Sequence, residues 1–228
     1  MVTSFSLKML RFLQVLLVPI FLIGGSIRLI TTERFLDFEY ARSGFPPDLY
    51  GFNRFQRLSL ASKNLEFVRD DLPLTSLSQQ NIGGLPVYNP RELDHMQDVQ
   101  DVYQAVWLVW QLSFALIVMI GALQWFVTRN PFTIASNLQS GGLLTVGLVT
   151  GIGLMATLGW QLWFELFHRF FFQPGSWLFD YSDTLIRLFP VQFWFDITLA
   201  ISALSMIGAV LLVFLGWRWK LKLMTQES

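Results

Sequence analysis

The chain has 228 residues, 53% hydrophobic and 14% charged, with a formal net charge of zero and no cysteine. Soluble domains average about 25% charged residues, so this composition and a mean hydropathy of +0.47 exclude an ordinary soluble domain. The balanced charge gives no footing for nucleic acid, and the missing cysteines remove disulfides, thiolate nucleophiles and Cys-ligated metals together.

Crossing a bilayer core takes about 20 consecutive, mostly apolar residues. Four segments qualify, about 9–30, 104–127, 141–164 and 196–217, and the length suits a single membrane domain over 1–228. The first span follows Lys8 and Arg11 like a signal peptide. It lacks a small-x-small cleavage site and carries Arg28 where cleavage would fall, so it reads as an uncleaved anchor. The third holds "GLVTG" (Gly147 to Gly151), a spacing that lets membrane helices approach closely. Lys8, Arg11, Arg129, Arg218, Lys220 and Lys222 fall on one side of this topology with a single acid, Glu227. Basic flanks stay cytoplasmic, which puts both termini inside and two loops, about 31–103 and 165–195, outside.

The longer loop is too long for a bare connection and is expected to form a small cap. "RFLDFEYA" alternates Leu36, Phe38 and Tyr40 with Asp37 and Glu39, a strand pattern. "NRFQRLSLASKNLEFVRDD" changes to helical period, with Leu58, Ala61, Leu65 and Val68 on one face and Asn53 as N-cap. A turn-rich stretch with a short strand around Leu85–Tyr88 follows. A helix then begins at "NPRE", with Asn89 as N-cap, Pro90 in the first helical position and Glu92 completing a capping box. Running on into the second span, it carries Arg91, His95 and Asp98 on neighbouring positions.

The second histidine of the chain, His168, follows the third span, three residues after Glu165 and beside Arg169. Pro174 and Gly175 turn the chain. "SDTLIRLFP" then reads as a short helix capped by Ser182 or Asp183, pairing Asp183 with Arg187 and ended by Pro190. Trp177, Phe189, Phe193 and Trp194 suit a loop lying on the interface. Spans joined by a short inner loop pack as antiparallel neighbours, so topology alone brings His95 and His168 to one membrane face.

Three readings of the pair stand side by side. The histidines can be structural, bonding a loop. With Asp98 and Glu165 they supply enough ligands for zinc or a di-metal centre, although HExxH is absent. Or they form a metal-free acid–base pair, since imidazole titrates near 6.5 and one member can be neutral while the other is protonated. No GxSxG elbow or cysteine offers a nucleophile, so a substrate must bring its own. A boundary site suits an amphiphile whose chains stay in the bilayer. The classes that compete are a non-enzymatic accessory or assembly protein and a metal-dependent membrane hydrolase.

The stretches "YNPRELDHMQDV" and "FHRFFFQPGSWLFDYSDTLIRLFPVQFWFD" resemble the two signature regions of the bacterial family that includes the lipoprotein intramolecular transacylases (Lit). The resemblance implies a membrane all-α four-helix transmembrane bundle under a small α/β extracytoplasmic cap. It also implies a catalytic histidine pair matching His95 and His168, and a site on the extracytoplasmic face of the bacterial cytoplasmic membrane. The implied reaction moves the sn-2 acyl chain of a diacylglyceryl-cysteine lipoprotein onto its own α-amino group. Its partners are membrane lipids and the lipid-modified N-terminal cysteine; no cofactor, metal or external acyl donor is implied. Asp98 or Glu165 would fix an imidazole tautomer, and Arg169 or Arg187 would sit near the oxyanion, unless these four form ordinary interfacial ion pairs. The best-known transacylases come from bacteria with lysine-rich proteins, whereas this chain has twelve arginines to four lysines. The resemblance therefore fixes the family before the substrate.

Overall fold

The computed structural model describes residues 4–225. In chain order these form α1 (Ser4–Ile30), α2 (Glu33–Ala41), α3 (Arg54–Arg69), α4 (Thr75–Ser78), β1 (Asn81–Ile82), β2 (Leu85–Pro86), α5 (Pro90–Thr128), α6 (Pro131–Leu158), α7 (Trp160–Phe171), α8 (Thr184–Leu188) and α9 (Val191–Met224). Four of these helices, α1, α5, α6 and α9, are long and apolar enough to cross a membrane. The protein is therefore a multi-pass membrane protein built mostly of helix. The chain divides into two compact units, one of residues 1–27, 107–154 and 200–228, the other of residues 28–106 and 155–199.

The first unit is the transmembrane four-helix bundle. Its helices are held by small-residue contacts and a buried polar knot. A Cβ at Gly141 would stand 2.5 Å from Val18 Cβ, and one at Gly142 would stand 3.0 Å from the Ala209 carbonyl, so α6 touches α1 and α9 through glycine. A Cβ added at Gly147 or Gly151, the pair singled out by the sequence, would meet no other helix within 4 Å among the described residues. Spacing marks a helix face on which close approach is allowed, but only neighbouring bulk decides which face is used. Asn137 donates to Gln14 and Gln124 at 2.9 and 3.0 Å, and Arg11 donates to Asn137 at 3.1 Å. Gln14, Gln124 and Asn137 are all 2% exposed or less. Without water, each must find its partner in the protein.

The second unit carries its own core, in which Leu60, Phe67 and Val68 of α3 pack with Leu77, Tyr88, Met96, Leu185 and Leu188. Residues 33–41 form helix α2 where alternation suggested a strand. Thr32 caps it by accepting from the Phe35 amide, and Leu36, Glu39 and Tyr40 are buried at helical spacing while Phe38 is exposed. Leu36 and Tyr40 satisfy both periods, and the cap decides between them. Asn53 caps α3 as expected and also forms a capping box with Gln56; of the expected face Ala61 and Val68 are buried, but Leu60, Asn64 and Phe67 complete it rather than Leu58 and Leu65. The strand pair is only two residues long on each side, turned by Gly83 and Gly84 at φ 61° and 83°. Arg57, 5% exposed, donates to the Arg187 and Pro46 carbonyls and so ties α3 to the α8 segment and the loop before α3.

α5 begins at the predicted cap: the Asn89 amide donates to Glu92 and the Glu92 amide to Asn89. Its 39 residues make about 58 Å of helix, far more than a hydrocarbon core of about 30 Å needs. Arg91, Glu92, Asp94, Asp98 and Asp101 all fall in its first third. His95 therefore lies outside the membrane-crossing part. The third hydrophobic segment departs from expectation. The span helix is residues 131–158 rather than 141–164, and it breaks at Gly159, whose φ of −149° and ψ of 56° leave the helical region. α7, which carries His168, is thus a separate helix.

Candidate active site

Both histidines belong to the second unit, and its fold brings them together. The imidazole centroids of His95 and His168 lie 6.5 Å apart with planes 23° from parallel. Aromatic rings enclose them. Phe172 and Phe179 stand 5.0 and 5.3 Å from His95. Phe164, Trp177 and Phe172 stand 3.9, 4.8 and 5.6 Å from His168. His168 is only 7% exposed. Trp177, which the sequence suggested as an interface residue, is here a wall of the site.

The hydrogen bonds around each ring define what it can do. His168 Nδ1 lies 2.7 Å from the Phe164 carbonyl one turn earlier. A carbonyl only accepts, so the proton resides on Nδ1 and the Nε2 lone pair is left to act as a base. His95 Nδ1 is buried with no partner. Burial disfavours imidazolium. It lowers His168 below the usual histidine range, against the opposing Phe164 carbonyl. His95 is pushed down to about 4 by burial first and by the neighbouring His168 second. At neutral pH both rings are neutral.

The pair is held by a clasp that sequence reasoning recognised only as a helix cap. Glu92, 1% exposed and one turn before His95, also accepts from the Leu185 amide at 2.7 Å. Asn89 and Arg91 bond Asp183 at 3.1 and 3.2 Å, and Thr184 bonds the Val87 carbonyl. These contacts fasten the start of α5 to the segment carrying Phe179, and Arg91 lies over the Phe179 ring at 5.3 Å. Burial of Glu92 raises its carboxyl, partly countered by the Asn89 and Leu185 amides.

The four supporting residues expected from the sequence do not close on the pair. Glu165 turns to Arg169 in an exposed 2.6 Å ion pair, so it neither orients His168 nor joins a ligand set. Arg169 is 68% exposed on the same outer face. Arg187 bonds Asp48 at 2.8 and 3.1 Å and lies 3.5 Å over the Phe52 ring, anchoring the loop before α3 rather than pairing with Asp183. Burial alone would raise Asp48, but the Arg187 hydrogen bonds and the Phe52 amide hold it below the usual carboxylate range. Asp98 makes no hydrogen bond to His95, whose Nδ1 stays unpaired. Among the described residues no three His, Cys, Asp or Glu side chains converge as a metal-ligand group.

The model of the lipoprotein intramolecular transacylase Lit family matches residues 12–194 of the chain. An uncharacterized protein of Aquifex aeolicus (strain VF5) is 30% identical over 218 residues, 92% of this chain and 94% of its own. Of solved structures, the lipoprotein intramolecular transacylase Lit of Bacillus cereus shares the fold at a TM-score of 0.71 and 18% identity, over 99% of this chain and all of its own. A histidine-to-arginine variant of that protein gives 0.67 and 18% over 99% and 96%. The match over residues 12–194 is four-fifths of the sequence, and the chain belongs to the lipoprotein intramolecular transacylase (Lit) family of membrane-integral, acyltransferase-like enzymes.

Proposed function

We propose that the protein moves an acyl chain within a diacylglyceryl-cysteine lipoprotein, from the glycerol to the α-amino group, with His95 and His168 as its acid–base pair. The observation that carries the mechanism is the enclosed pair itself: two neutral imidazoles, 6.5 Å apart, one with its tautomer set by a backbone carbonyl. From a neutral α-amine, the nitrogen attacks the ester carbonyl and forms the new C–N bond. One N–H proton passes to His168 Nε2, and the glyceryl oxygen leaves with a proton delivered by the pair. The C–O bond breaks, and amide plus alcohol carry the same atoms as amine plus ester. No water or external donor enters.

His168 is the better base because its Nδ1–H is already spent on the Phe164 carbonyl. His95, with its unpartnered Nδ1, relays the proton to the departing oxygen. Such assistance is worth roughly 10²–10⁴ in rate, and holding ester and amine in one site supplies the remainder. In this reading the site faces the extracytoplasmic side of the bacterial cytoplasmic membrane and both termini the cytoplasm, as the basic residues near the span ends favour.

The test uses purified protein in nanodiscs with a synthetic diacylglyceryl-cysteine peptide. His95→Ala and His168→Ala should each lose about 100-fold or more in transfer rate while keeping the wild-type thermal transition. Full activity in either folded variant overturns the mechanism.

A further inference from the structure

Beside the histidine pair lies an open groove of about 420 Å³, formed by Asp98, Asp101 and Val102 of α5 on one side and the run from Phe170 to Pro174 on the other. Phe172 belongs to the groove and to the site at once, since its ring meets both His95 and His168. The two walls differ in character. Phe170 and Phe171 are 79% and 40% exposed, presenting bare aromatic surface. Opposite them, among the described residues, the Asp101 carboxylate accepts from the Gln97 amide alone and no lysine or arginine bonds Asp98 or Asp101. Burial first, then the neighbouring Asp101 and Asp94, raise the Asp98 carboxyl above the usual range, and a cation placed beside these carboxylates would offset their mutual repulsion.

A groove negative on one wall, apolar on the other and continuous with the acid–base pair fits an amphiphile bearing a cation next to hydrocarbon. The N-terminus of a diacylglyceryl-cysteine peptide has that arrangement, because ammonium and thioether-linked glyceride sit on adjacent carbons. We propose that the groove seats this N-terminus, with the α-ammonium held by Asp98 and Asp101 and an acyl chain against Phe170 and Phe171. The inference rests on the transacylation reading and adds a selection rule to it. An already N-acylated lipoprotein offers the carboxylates a neutral amide and brings one more chain, so the groove rejects the product class and admits the free amine. Asp98 and Asp101 are positioning residues; the bound ammonium first releases its extra proton to bulk water at the open groove, and the neutral amine then attacks with both imidazoles still neutral.

The test separates binding from turnover by using an ether-linked dialkylglyceryl-cysteine peptide, which has no ester to transfer. Its affinity for the full-length protein in phosphatidylcholine nanodiscs is compared with that of the N-acetylated peptide. The free amine should bind about tenfold tighter or more, the effect of a charge-assisted contact. Asp98→Asn/Asp101→Asn should bring both peptides to the weaker value, and Asp98→Glu should restore the preference. With the ester substrate the same double variant should raise KM with little change in kcat. Equal binding of the two peptides, a preference that survives the double variant, or equal competition by phosphatidylethanolamine would each overturn the proposal. Transfer by the wild-type protein alongside equal binding would sink the groove and leave the catalytic pair standing.

Discussion

Acid should spare this pair far longer than it spares ordinary histidines. At pH 5.5 an imidazole of pKa about 6.5 is about 91% protonated, whereas His95, pushed down to about 4, would be about 3% protonated. His168 moves in the same direction because burial outweighs its carbonyl contact. The substrate's α-amine ordinarily titrates near 8, so below about pH 7 its protonation should cut the rate about tenfold per pH unit, with His95 still neutral. His95 should add a further tenfold per unit only below its own value of about 4. Phe179→Ala perturbs this specifically, removing one of the two phenylalanine rings, 5.3 Å away, that keep water from His95. Full relief of burial would bring His95 back toward 6.5, short of it by the effect of His168, a change worth at most about 3 kcal/mol at 1.36 kcal/mol per pH unit. Partial relief should still move the break upward by at least about one unit. Initial transfer rates of both proteins in nanodiscs across this range read the break directly. A wild-type break near 6.5, or an active Phe179→Ala protein with the break unmoved, would refute the reasoning.

The same shift has a stability sign. With the folded pKa of His95 below the unfolded one, its contribution is whole above about pH 6.5 and is lost as pH falls toward about 4, because the unfolded chain protonates first. Thermal midpoints should decline through that window and decline less in His95→Phe. Arg57→Met removes three hydrogen bonds to the Arg187 and Pro46 carbonyls and leaves these half-buried acceptors without that partner, at about 3–5 kcal/mol. It should depress the unfolding midpoint by several degrees, and an unchanged midpoint would contradict the assigned role. Gly141→Ala would drive a methyl into Val18 and should cost about 1–3 kcal/mol, recovered in part by Val18→Ala, whereas Gly147→Ala and Gly151→Ala should be silent. A denaturation series in detergent that ranks Gly147 above Gly141 would reverse the assigned packing.

How far the sequence reaches follows from which forces act locally. The presence of four apolar spans, the caps at Asn53 and Asn89 and the convergence of His95 with His168 were legible because hydropathy, capping residues and topology are short-range or counting arguments. The bounds of the third span were not, and Asp183 starts α8 without a side-chain cap. The strand expected at residues 33–41 failed because Leu36 and Tyr40 fit both periods, and the Thr32 cap that selects the helix is a weak single-residue signal. The supporting ion pairs failed for a different reason. Glu165 lies three residues from His168 and four from Arg169, and sequence spacing cannot say which neighbour wins. In the same way Arg187 was within reach of Asp183 but found Asp48, 139 residues away in the chain. Least legible was the enclosure itself. Trp177, Phe172 and Phe179 are three of many aromatics in a chain 16% aromatic, and nothing local distinguishes a ring facing imidazole from one facing lipid.

The central claim is tested most directly by tandem mass spectrometry of a lipoprotein's N-terminal lipopeptide. The host should lack N-acylation and express either this protein or its His95→Ala variant. Intact mass is blind to the reaction, because a chain moved within one molecule leaves its mass unchanged; fragmentation locates the chain. Cells with the wild-type protein should carry an acyl group on nitrogen and a lyso-glyceryl thioether, and cells with the variant should keep both chains on glycerol. Chains that remain on glycerol beside folded, membrane-inserted wild-type protein would contradict the claim.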